Sequence, residues 1–100
     1  MRVVFLPAAQ EDILSVVEYL LDQFAYDAAE RFPDSVEAAA VFVAQNPLAG
    51  AASLHGLRSW AIRDFPKIRL YYFLSSDTEL RIVRIIHAAR DLSAVLDEDL

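Results

Sequence analysis

The amino-acid sequence predicts an α+β fold: an N-terminal strand, a two-helix hairpin, an antiparallel three-stranded meander, and a short C-terminal helix or tail. Three observations predict it. Residues 8 to 45 carry apolar side chains at helical spacing, with a second helix beginning near Asp27. Residues 57 to 87 hold three apolar runs rich in β-branched and aromatic residues. The connections between those runs are short, which antiparallel hairpins allow and parallel crossovers do not.

The first strand is Val3-Val4-Phe5-Leu6, and Pro7 stops it while suiting the first turn of a helix. In that helix Ile13, Val16, Val17, Leu20 and Phe24 form the apolar stripe. Glu11, Ser15, Glu18 and Asp22 fall opposite it, and Glu11 and Asp12 are expected in the first turn, facing the helix dipole. A second helix is expected from Asp27, with Asp27 as its cap and Glu30 completing a capping box. Phe32, Val36, Ala39, Ala40 and Val43 are its buried stripe, and Pro33 predicts a kink or a restart. Asn46-Pro47 ends it, and residues 49–53 read as a loop. The strands of the meander are expected at Leu57–Arg63, Ile68–Leu74 and Leu80–His87. Asp64-Phe65-Pro66-Lys67 and Ser75-Ser76-Asp77-Thr78 connect them.

One hundred residues make one domain, 1–100. The apolar fraction of 56% is too high for a disordered chain, and the absence of cysteine excludes a disulfide scaffold and thiolate metal sites. Two distant histidines offer no metal-ligand spacing, and two glycines cannot build a phosphate loop, so no metal and no cofactor are expected. No signal peptide or bilayer-length apolar run is visible, so a soluble, cytoplasmic protein is expected.

Charge is distributed unevenly. The net charge is −6, but residues 1–50 alone carry −6, residues 51–90 carry +4 and residues 91–100 carry −4. An acidic chain does not bind nucleic acid through its overall field. The cations concentrate on the meander, where Arg69, Tyr71 and Phe73 are expected to share one face and Ile68, Leu70, Tyr72 and Leu74 the other. One helical layer covers one sheet face. The other is therefore expected to expose aromatic and basic side chains to a partner.

Several stretches resemble ParE-type toxins of the RelE/ParE superfamily. They are the opening Phe5-Leu6-Pro7-Ala8-Ala9-Gln10-Glu11-Asp12-Ile13, the second helix start Asp27-Ala28-Ala29-Glu30-Arg31-Phe32, and its exit Gln45-Asn46-Pro47-Leu48-Ala49-Gly50. Three more specific stretches follow: Gly56-Leu57-Arg58-Ser59-Trp60, Arg69-Leu70-Tyr71-Tyr72, and Val83 to Leu92 with its His87 and Arg90-Asp91. The resemblance implies the toxin of a bacterial type II toxin-antitoxin pair. Its ParD-like antitoxin would neutralise it through a C-terminal segment, in a hetero-oligomer, and its target would be DNA gyrase, inhibited by binding. The alternatives are a RelE-like ribosome-dependent mRNA endoribonuclease and a non-toxic member of the family.

As antitoxin- or target-binding residues the reading selects Arg58, Trp60, Arg69, Tyr71, Phe73, Arg81, Arg84 and Arg90. Any one of these arginines taken alone is equally well explained as a solvated sheet residue paired with Asp64, Asp77 or Glu79, and Arg90-Asp91 as a local ion pair. No catalytic group is expected of a gyrase inhibitor. Cleavage of RNA would need a base, an acid and cations for the transition state, and His87, Arg90, Arg69, Arg84 and Tyr72 are the candidates. Against that role, His87 alone would simply hold a turn, and His55 lies in a loop.

Overall fold

The computed structural model describes residues 1–97. Arg2–Phe5 form β1, Pro7–Asp22 form α1 and Tyr26–Gln45 form α2. Ala51–Ala52 form β2, followed by a 3-10 turn at Leu54–Gly56. Arg58–Ile62 form β3, Phe65–Ser76 β4, Glu79–His87 β5 and Leu92–Asp97 α3. One mixed sheet runs in the order β1-β5-β4-β3-β2. β1 lies parallel to β5, with Phe5 opposite Ile82, and the other pairings are antiparallel. The helical hairpin is thus the crossover that a parallel β1–β5 pair requires.

The two helices lie on one face of the sheet. Their stripes meet Ile62, Leu70, Tyr72, Leu80, Ile82 and Ile85 in the main core, with Phe32, Val36 and Val43 fully buried from α2. Phe32 meets Phe65 edge to face at 5.0 Å.

Four expectations are corrected. First, α2 begins at Tyr26 with Ala25 as its cap, and no side chain caps it. Asp27 sits inside the first turn, where its charge meets the helix dipole directly. Second, α2 does not restart at Pro33 but continues through it as one helix. Pro33 is exposed, so the donor it lacks lies on the solvent side of the helix, where water can serve the carbonyl left over. Third, the segment read as a loop contains β2, whose Ala51 and Ala52 pair with Ser59 and Arg58.

The fourth correction concerns the second sheet face, expected to be bare. The C-terminal helix α3 lies across part of it and buries Leu92 and Val95 with Leu57, Tyr71 and Ile86. Asp91 makes this helix possible. Its Oδ1 accepts from the Ser93 and Ala94 amides at 3.0 and 3.4 Å and so caps the helix. The remainder of the tail, residues 98–100, lies outside the described residues.

Candidate protein-docking site

β2 is too short to cover its neighbour. It pairs only with Arg58 and Ser59, so among the described residues no strand lies beside the outer edge of β3 from Trp60 to Ile62. A groove of about 550 Å³ opens there, lined by Ala38, Ala39 and Phe42 of α2, Trp60 and Ala61 of β3, Arg63, and Arg69 of β4. Phe42 is 39% exposed and stacks on Trp60, with ring centroids 4.7 Å apart and planes 22° apart. The two alanines of α2 leave the backbone approachable. Arg69 is held in place: its Nε donates to Ser59 Oγ at 3.0 Å and its Nη2 to the Ser59 carbonyl at 3.3 Å. An unpaired strand edge, an apolar floor and two cations can together receive an extended or amphipathic acidic polypeptide.

The remaining candidates divide by burial. Arg58 is half-buried and donates to the Gly50 carbonyl at 2.9 Å, tying the chain before β2 to β3. Phe73 is half-buried beside the cluster under α3, and Tyr71 lies within that cluster. Arg81 is exposed and pairs with Glu79 on the same strand at 3.0 Å. The Ser75 hydroxyl and then Arg81 hold the Glu79 carboxyl below its ordinary pKa of 4.5. Arg90 is exposed in the turn after β5.

Arg84 is buried. Its Nε and Nη2 donate to Asp12 Oδ2 and Oδ1 at 2.8 and 2.9 Å, and its Nη1 reaches the Val95 carbonyl at 3.4 Å. Asp12, expected in the first turn, lies instead on the buried side of α1, which begins at Pro7.

The five candidates for RNA cleavage are not gathered at one point. Tyr72 is fully buried; its hydroxyl donates to the Pro47 carbonyl at 2.8 Å and accepts from the Gly50 amide at 3.0 Å. Arg84 is held by Asp12. His87 and Arg90 line a second cavity, of about 460 Å³, between α1 and the ends of β4 and β5. There His87 Nδ1 accepts from the Ala89 amide at 3.0 Å and holds the turn. Arg69 is one residue from Ile68, the cross-strand partner of His87, so it points to the opposite sheet face.

Two groove residues, Phe42 and Arg63, were not singled out from the sequence. Phe42 stands three residues after Ala39, one position off the buried stripe. That offset is the signal of a side chain at the rim of the helix–sheet interface.

Fold and groove define a class: a small α+β domain whose sheet keeps one apolar, arginine-rimmed edge uncovered. A family profile, the ParE toxin of the type II toxin-antitoxin system parDE, matches residues 3–92, and the chain belongs to that family. A solved structure described as the chromosomal ParDE toxin-antitoxin system from P. aeruginosa superposes with a TM-score of 0.71 at 20% identity. The match covers 87% of this chain and 95% of that one, and it shows a shared fold. No curated protein sequence matches.

Proposed function

We propose that this chain is a toxin silenced by a co-expressed ParD-like antitoxin, and that once released it inhibits DNA gyrase by binding. The site of action is then the cytoplasm. The observation that carries the antitoxin reading is the open β3 edge beside the Phe42–Trp60 groove. A C-terminal antitoxin segment adds to that edge, places apolar side chains against Phe42 and Trp60, and sets carboxylates on Arg63 and Arg69. Arg81, Arg90 and Phe73, which lie away from the groove, remain for contact with the target. Arg58, Tyr71 and Arg84 support the surface from beneath. Family membership carries the gyrase reading, and the scattering of the five nuclease candidates favours binding over RNA cleavage.

The test has two arms. Purified gyrase is assayed with the toxin alone and with the toxin plus the product of the adjacent reading frame. Supercoiling should stop and cleaved DNA accumulate with toxin alone, and both effects should reverse with the antitoxin. Normal supercoiling at high toxin ratios rejects the gyrase target. Codon-specific cuts in mRNA from induced cells, mapped by primer extension, would establish the endoribonuclease instead.

A further inference from the structure

The turn joining α1 to α2 carries an expensive side chain. The Phe24 amide donates to the Leu21 carbonyl at 3.0 Å and the Ala25 amide to the Leu20 carbonyl at 2.8 Å, the paired bonds of a Schellman helix end. The residue at its centre must adopt a left-handed conformation, and glycine is the usual choice. Here it is Phe24, at φ +57°, with 76% of its surface in water. Glycine would avoid both the backbone strain and the exposed ring. Tyr26, 60% exposed, meets the Phe24 ring edge to face at 6.3 Å, and Tyr19, one turn earlier on α1, is 63% exposed. An aromatic cluster this exposed at a helix end contributes little to the chain's own core.

The two helix ends that meet at this turn are acidic, and the cation Arg90 lies off it, in the cavity that Tyr19 lines. Glu18, Asp22, Asp27 and Glu30 are exposed, and none forms an ion pair among the described residues. Arg31 is the only cation on α1 and α2, and it reaches Asp64 at 3.7 Å. Carboxylates beside the negative faces of aromatic rings favour a guanidinium, which can stack on a ring and pair with a carboxylate at once. Nucleic acid and anionic lipid carry the wrong sign for this surface.

We propose that the tip of the α1–α2 hairpin docks a basic, arginine-bearing segment of a second protein, through Phe24 and Tyr26 with Asp22 and Asp27. The surface is distinct from the antitoxin groove. Tyr26 and Phe42 are sixteen residues apart on one helix, about 24 Å along its axis. The acidic segment proposed for the groove would be repelled at the tip. One molecule can therefore hold an acidic segment at one end and a basic one at the other.

The test is an NMR titration of the full chain in 150 mM NaCl. The probes are a synthetic peptide carrying Arg and Leu at helical spacing and its Glu counterpart. The Arg peptide should shift the amides of residues 18–27, and the Glu peptide should leave them unmoved. Phe24→Gly should keep or raise the thermal midpoint yet weaken Arg-peptide binding at least tenfold, and the double variant Asp22→Lys/Asp27→Lys should abolish it. The proposal is overturned by an absence of binding or by shifts spread equally over Asp77, Glu79 and Asp91. Undiminished binding by Phe24→Gly overturns it as well. The antitoxin is titrated in parallel: retained affinity in Phe24→Gly supports two separate surfaces. Loss of both ligands would place the tip within the antitoxin site, removing this inference and leaving the toxin reading intact. Failure of the antitoxin to bind the unmodified chain counts against that reading alone.

Discussion

Tyr72 shows how one side chain can be chemically suggestive in sequence and structural in place. Its hydroxyl joins the exit of α2, at the Pro47 carbonyl, to the start of β2, at the Gly50 amide. Gly50 is required by that closeness. A Cβ there would stand 2.5 Å from the Tyr72 oxygen and 2.9 Å from the Ser59 carbonyl oxygen, which belongs to the backbone and cannot swing aside. Tyr72→Phe removes the hydroxyl and leaves a carbonyl and an amide without their partner. It should lower unfolding stability by about 1–3 kcal/mol, read as a reduced urea midpoint at unchanged slope. Antitoxin affinity should be retained. A variant as stable as the parent would show that the hydroxyl does not hold the β2 turn.

At the scale of elements, Asp12 is the joint of the molecule. β1 ends opposite Ile82, so the next stretch of β5 lacks a neighbouring strand, and α1 lies against the gap. Asp12 Oδ2 accepts from the Ile85 amide at 2.9 Å while the same carboxylate holds Arg84, whose Nη1 reaches α3. One carboxylate thereby connects α1, β5 and α3. Asp12→Ala removes the carboxylate that a buried guanidinium and a buried amide share, and should cost about 3–5 kcal/mol by chemical denaturation. The double variant Asp12→Leu/Arg84→Met should be less damaging than Asp12→Ala, because no charge then remains buried. Equal losses would mean that packing rather than the ion pair sets the stability. The sequence alone did not reveal this joint. Asp12 stands three residues after Ala9 and four before Val16, on the apolar stripe, which is a readable anomaly. Its partner is 72 residues away, though, and periodicity reports on a face, never on what faces it. The stripes of α1 and α2 and the alternation of β4 were legible because burial repeats at the period of each element; Phe24, expected at the end of the α1 stripe, is the exception, since the helix stops at Asp22 and leaves that ring exposed. The α3 cover was not: Leu92, Val95 and Leu96 are spaced like a helix, but nothing local says which sheet face they meet.

At the scale of the whole molecule, opposite charges are held apart by the fold. The helical layer is acidic, and the cations of residues 51–90 lie on the meander and the turns around it, so the Phe42–Trp60 groove carries two cations, Arg63 and Arg69, and no acid in its lining. Two such cations speed encounter with an acidic segment, and their attraction is screened by salt within about 10 Å at 0.1 M. Arg69→Glu should therefore slow antitoxin association about tenfold at low salt and flatten its dependence on ionic strength, measured by stopped-flow fluorescence of Trp60, the only tryptophan. Reversal also removes the bonds to Ser59, so Ser59→Ala is the needed control, since it keeps the charge and loses the Oγ contact. If charge steers the segment, Ser59→Ala keeps the parent's salt dependence and mainly quickens dissociation. If orientation matters more than field, both variants dissociate faster and neither changes the salt slope. Arg81→Glu, on a strand away from the groove and already paired with Glu79, should leave the association rate near that of the parent.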